Sequence, residues 1–259
     1  MGTYSSATRQ GAYEPFELQV ARGQVDGHNT LYKFGVNTDV GTNSETVWSQ
    51  GGLYVYLASA TVMKISSSSA DDSSAGTGAR TIAIFGLDAN YNEISESVLL
   101  NGQTAVNTGN SYLRILRMFV TTAGSSETAA GTIYAGTGSV TSGVPAAIYG
   151  LITLGANQSL MAFWTVPAGY TFYLLGLFLT SGNTGANTYT TFQFFQRQVG
   201  GVFRLQSAAR ISASGNSQVP LNPPLSFVEK TDLQIRAFSS SGASNVSAEF
   251  EGIYIKNPD

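Results

Sequence analysis

The sequence predicts an all-β protein built of two antiparallel β-sandwich or jelly-roll-like domains. Three observations carry this. Val, Ile, Thr, Tyr and Phe recur throughout, 29 Gly punctuate them, and no long segment shows the i, i+3, i+4, i+7 spacing of an amphipathic helix. Short apolar or alternating runs are separated by turn clusters. The last two runs alternate with period 2: Leu233, Ile235, Ala237, Val246, Ala248 and Phe250 form an inward set. Gln234, Arg236, Glu249 and Glu251 form an outward one.

In chain order, residues 1–20 read as an extended arm and 53–65 as a strand. Residues 66–78, rich in Ser, Gly and Ala, read as an exposed loop. Residues 80–87 and 93–100 read as strands joined through Asp88-Ala89-Asn90-Tyr91-Asn92, because Asn and Asp tolerate left-handed backbone. Asn101-Gly102 ends the second. Residues 112–122 read as a strand apolar on both sides, which implies an inner position or an interface. Composition turns to Gly, Ser, Thr and Ala over 123–143 and shifts again at Val144-Pro145. The domain boundary is therefore expected at 145, giving domains 1–145 and 146–259.

In the second half, 159–166 and 170–180 flank Pro167-Ala168-Gly169, a turn with a φ-fixing Pro and a permissive Gly. Residues 190–199 and 202–206 read as a hairpin about Gly200-Gly201. Residues 220–224, with three Pro, block regular pairing. Residues 233–238 and 246–256 read as a final pair about 239–245. No fixed-period repeat points to a solenoid or propeller.

Only 11% of residues are charged, against roughly 25% in a typical domain, and 128–196 carry no formal charge at all. Such a surface is solvated by hydroxyls and amides, with little repulsion between copies. The net charge of −3 and scattered Lys and Arg argue against nucleic-acid binding. Without Cys, disulfides, thiolate chemistry and Cys-type zinc sites fall away. No signal peptide is visible, and Gly2 with Ser6 satisfies a loose myristoylation pattern. Polar residues and Gly interrupt 148–180, so no membrane-inserted span is expected.

Candidate chemistry is sparse. His28, the sole His, sits in a turn-like Val25-Asp26-Gly27-His28-Asn29, with no Gly-x-Ser-x-Gly elbow to pair with it. Asp88-x-Asn90-x-Asn92 resembles the start of a calcium loop, but Glu93 stands where Gly is needed and Leu99 where Glu is needed. Asp71-Asp72 reads as a solvated pair. Glu249 and Glu251 share a strand face at a spacing compatible with paired carboxylates, yet a salt bridge to Arg236 on the neighbouring strand explains them. Trp48 and Trp164 could stack sugars, although Trp164 reads better as core or subunit contact. Gly136-x-Gly138 lacks a phosphate loop's third Gly and context. Asn157-Gln158-Ser159 and Asn245-Val246-Ser247 match glycosylation sequons. The chain thus reads as a non-enzyme, with no catalytic, cofactor-binding or metal-ligating residues and no cofactor.

The segments Ser-Ala-Asp-Asp-Ser-Ser-Ala-Gly-Thr-Gly-Ala-Arg-Thr-Ile (69–82), Gly-Leu-Asp-Ala-Asn-Tyr-Asn-Glu-Ile-Ser-Glu (86–96), Leu-Asn-Gly-Gln-Thr (100–104) and Tyr-Leu-Arg-Ile-Leu-Arg (112–117) resemble structural proteins of tailed bacteriophages, including short-tailed aquatic phages and cyanophages. Val20-Ala21-Arg22-Gly23, Lys33-Phe34-Gly35 and Thr165-Val166-Pro167-Ala168-Gly169 fit the same pattern. The resemblance implies a β-rich component of the virion without enzymatic activity and with no catalytic residues to carry over. Its partners would be further copies of itself, expected as a trimer, and other capsid or tail proteins. Capsid decoration, or cement, and a tail-associated ring are the leading roles. A receptor-binding head or tail fibre module that holds a host surface glycan is the alternative, and a glycan depolymerase a distant third.

Overall fold

The computed structural model describes residues 14–183, 185 and 187–258. Strands make up 60% of the described residues and helix 2%, in several antiparallel sheets. The helix, α1 (Phe16–Ala21), spans six residues and buries Val20. It replaces the expected extended conformation at the end of the 1–20 arm. Residues 1–13 of that arm, with Gly2 and Ser6, lie outside the described residues.

The strands are β1 (His28–Val40), β2 (Glu45–Thr46), β3 (Thr61–Ser67), β4 (Ala79–Leu87), β5 (Glu93–Leu99), β6 (Val106–Tyr112), β7 (Arg114–Ala123) and β8 (Ile133–Thr141). They continue as β9 (Val144–Ile152), β10 (Phe163–Thr165), β11 (Tyr170–Gly182), β12 (Tyr189–Arg197), β13 (Arg204–Ser212), β14 (Ser214–Phe227), β15 (Asp232–Ser239) and β16 (Ser244–Lys256).

One sheet has the order β1-β16-β11-β14. The facing sheet has β10-β15-β12-β13, with β2 sharing the outer position beside β15. Two four-position sheets in this order form a jelly roll. Strands β3 to β9 are an insertion within its second position, between β2 and β10. They pair among themselves as β6-β3-β8-β9 and β5-β4-β7.

This topology revises the expected division at 145. Residue 145 falls inside the β8–β9 hairpin, where Val140 pairs with Pro145. Strand β1, from the expected first domain, pairs along its length with β16 at the other end of the chain. Composition marked the Gly-rich β8–β9 hairpin, whereas β1 joins its sheet through contacts distant in sequence.

The expected inward set, Leu233, Ile235, Ala237, Val246, Ala248 and Phe250, is buried in the jelly-roll core with Trp164, Phe172, Leu177, Leu179, Phe192 and Phe194. The expected pairing of these two strands does not form. β15 and β16 lie in opposite sheets and share no ladder, because a crossing between sheets leaves the same alternation as a hairpin. Gln234, expected outside, is fully buried: the third cluster, of Trp48, Tyr54, Leu151, Met161 and Phe163, roofs that face of the sheet. The Thr46 hydroxyl donates to Gln234 Oε1 at 2.9 Å.

The β4–β5 hairpin forms as expected, with Leu87 opposite Glu93. The expected strand over 53–65 is regular only from Thr61, and Tyr54 and Tyr56 pack on the third cluster instead. Strand β7 is covered on both sides. Ile115 and Met118 enter the insertion's core, while Leu116 enters that of the jelly roll. The β12–β13 connection is a hairpin with a wider loop than Gly200-Gly201 alone, since Gln196 pairs with Arg204. Around the Pro cluster the ladder jumps from Leu174–Leu225 to Gly176–Pro220, so 221–224 bulge from β14.

The Ser-rich 66–78 segment is anchored rather than loose. Asp72 is fully buried. Its Oδ1 accepts the N–H groups of Ala79 (2.7 Å) and Ala130 (2.8 Å), and its Oδ2 accepts the Ser67 hydroxyl (2.6 Å) and the Gly131 N–H (2.9 Å). The expected solvated pair is therefore one exposed residue, Asp71, beside one buried staple. A buried carboxylate is tolerated because donors surround it.

Candidate functional site

The strongest concentration of charge lies where the insertion meets the jelly roll. Arg114 opens β7 and Asp232 opens β15. Asp232 Oδ1 accepts Arg114 Nε at 2.9 Å and the Thr165 hydroxyl at 2.6 Å. Its Oδ2 accepts Arg114 Nη2 at 3.1 Å, Arg197 Nε at 3.1 Å and Arg197 Nη2 at 2.6 Å. Arg114 Nη1 also donates to the carbonyls of Leu57 and Leu113. Burial works against the Arg114 charge, and the Asp232 carboxylate outweighs it, raising the guanidinium's pKa above its ordinary value.

Aromatic rings frame this triad. Tyr56 lies between the two guanidinium groups, 4.8 Å from that of Arg114 and 4.5 Å from that of Arg197. Arg197 also faces Phe203, and Arg236 covers Phe195 and Phe203. Beside the triad opens a cleft of about 650 Å³, walled by 57–60, Tyr91 and the 199–201 turn. A second cleft, of about 450 Å³, lies between β1 and β7 and contains Lys33.

The residues singled out in the sequence are not brought together. Half-buried His28 has Nδ1 2.8 Å from the Asp26 carbonyl and its ring edge-on to Phe16. Asp88 closes its turn by accepting the N–H groups of Asn90 and Asn92 and the Asn92 side-chain amide. Slight burial pushes its pKa up, and these bonds hold it below the ordinary value. Among the described residues no three His, Asp or Glu side chains form a metal-binding group.

Glu249 accepts the Tyr32 hydroxyl. The expected Arg236 bridge to Glu249 and Glu251 does not form, because Arg236 belongs to the opposite sheet. Trp48 and Trp164 are both 3% exposed; Trp48 Nε1 donates to the Gly51 carbonyl at 2.8 Å. A Cβ at Gly136 would meet Pro145 and the Ala147 carbonyl, so this Gly serves the β8–β9 approach. Both amide atoms of Asn157 are bonded, to the Ala129 N–H and the Glu127 carbonyl, while Asn245 is exposed.

The triad went unread in the sequence because its members lie far apart along the chain. A signal did exist. Arg114 stands on a strand face with Tyr112, Leu116 and Met118, and Lys33 lies between Tyr32 and Phe34. A lone cation among apolar neighbours asks for a buried partner.

No family model and no curated protein matches this chain. Among solved structures, a chain from the infectious bursal disease virus Gx strain aligns over 90% of this chain and 73% of its own length, at 12% identity and a TM-score of 0.25. One from the Gt strain covers 99% and 88% at 10% identity, with a TM-score of 0.20. The VP2 subviral particle of that virus covers 90% and 77% at 10% identity, with a TM-score of 0.15. Likeness this low establishes neither a shared fold nor a shared role.

Proposed function

We propose that this chain is a non-enzymatic structural protein of a tailed-phage virion, working as a homotrimeric capsid decoration or tail-associated component. The observation that carries the reading is the asymmetry of the jelly roll's flanks. The flank formed by β1, β2 and β10 is closed by the insertion, through Leu87, Leu116 and the Arg114–Asp232 pair. On the other flank, β13 and β14 pair only inward, with β12 and β11. Their outer edges are free among the described residues.

Ala209, Val219, Leu221 and Leu225 reach the core from these strands but are only partly buried. Two long, unpaired edges with incompletely covered apolar residues and few charges are what a subunit contact covers. If the flank meets a different surface of its neighbour, the contact is heterologous; where its rotation closes, it makes a ring, of which three copies is the smallest. Jelly rolls are common in capsid proteins, which supports the reading by analogy of fold. Native mass spectrometry of the purified chain, with copy counting in the particle, tests it.

The 650 Å³ cleft supports a second reading, a receptor-binding module. Tyr56, Tyr91 and Arg197 offer rings and hydrogen-bond donors to a host surface glycan, and the volume suits a small-molecule site. Binding of purified protein to host cells, abolished by Tyr91→Ala, would favour it.

A further inference from the structure

The second cleft has an unbalanced charge at its floor. Lys33 enters it from β1, is 4% exposed, and its Nζ donates to the carbonyl of Leu116 on β7. Its remaining two donors have no acceptor, and no carboxylate lies within ion-pair distance, among the described residues. Burial first, and the nearby Arg117 charge second, lower its pKa to about 7. A buried ammonium with one neutral acceptor is costly, and a bound anion would relieve that cost.

The remaining walls narrow the anion's chemistry. Arg117 donates to the Tyr32 carbonyl at 2.9 Å and supplies a second cation at the rim. Phe85 and Phe119 stack with centroids 5.5 Å apart, and Trp164 and Tyr254 line the cleft as well. Glu93 is half of a complementary pattern: it forms no ion pair among the described residues, and burial raises its pKa. A cleft of this size suits a small molecule. It asks for a carboxylate at one end, a C–H face against the rings and a hydroxyl donor toward Glu93. A hexuronic acid has all three.

We infer that the cleft between β1 and β7 binds a carboxylate-bearing sugar of the uronic acid class, with Lys33 and Arg117 holding the carboxylate. This site is separate from the Tyr56 cleft and does not depend on the oligomeric state. Calorimetry on the full chain with D-glucuronate, D-glucose and an acetylated aspartyl peptide tests it, alongside a readout of oligomeric mass. The expected result is glucuronate binding at least tenfold tighter than glucose or the peptide. Lys33→Met should weaken it at least tenfold, and Arg117→Gln and Phe85→Ala at least threefold each. Undetectable glucuronate binding, equal binding of glucose, or unchanged binding by a folded Lys33→Met protein would overturn the inference. Tighter binding of the peptide would overturn it in favour of a protein partner. Should Lys33→Met fail to fold, the glucuronate-to-glucose ratio and Arg117→Gln decide alone. None of these outcomes alters the mass, so the assembly proposal stands or falls separately.

Discussion

Replacing Asp232 by Asn removes the anion that two guanidinium groups share. The side chains of Asp232 and Arg114 are 5% and 6% exposed, whereas that of Arg197 is 26% exposed. Breaking a buried pair by removing one partner costs about 3–5 kcal/mol, since the stranded charge stays desolvated. Arg114 is almost wholly buried, and its bonds to the neutral Leu57 and Leu113 carbonyls persist without balancing its charge. Arg197 can turn outward and recover part of its hydration. The expected destabilisation is therefore about 4 kcal/mol, a large fraction of the ~5–15 kcal/mol that typically separates folded from unfolded protein. Arg197→Gln should cost less, about 1–2 kcal/mol, because its charge is partly solvated already. Urea unfolding at fixed protein concentration, followed by the emission of buried Trp48 and Trp164, reads both values. A loss below about 1 kcal/mol for Asp232→Asn would refute the claim that the triad holds the insertion to the jelly roll. Removing all the charge together (Arg114→Met, Arg197→Met, Asp232→Leu) should cost less than Asp232→Asn alone, because no unpaired charge remains.

Lys33 makes stability depend on pH. Its folded pKa of about 7 lies below the ordinary 10.5, so between these values the unfolded chain binds more protons and stability rises with pH. From pH 7 to 9 the gain should be about 2 kcal/mol, read as a rising urea midpoint that Lys33→Met flattens. Asp72→Ala strands three backbone N–H groups and the Ser67 hydroxyl and should cost about 3 kcal/mol or more, with faster hydrogen exchange at Ala79, Ala130 and Gly131. Gly35→Ala would drive a Cβ into the Val47 carbonyl and the Ala162 amide. Backbone cannot yield there cheaply, and thermal unfolding should show a loss of about 2 kcal/mol. Leu221→Lys places a charge on the open β14 flank, and gel filtration should show dissociation with the β-sheet circular dichroism retained.

The fold class and the inward faces were legible because period-2 alternation survives any arrangement of sheets. Val246, Ala248 and Phe250 were placed inside without knowing which strand they pair with. Partners were not legible. That β1 closes on β16, or that β15 faces β16 across a core, depends on long-range contacts that leave no local mark. The Asp72 staple was hidden because a Ser-rich stretch looks solvated until distant N–H groups from Ala130 and Gly131 converge on it. The triad was half visible, since Arg114 on an apolar strand face already called for a buried anion. Nothing near Asp232 says that it is that anion.

In the proposed assembly the open β13–β14 flank joins copies of this chain into a ring. Native mass spectrometry of the purified protein at micromolar concentration tests it most directly. A species at three times the chain's 27.3 kDa is expected, and Leu221→Lys should reduce it to one chain. A wild-type protein that remains a single chain at that concentration would contradict it.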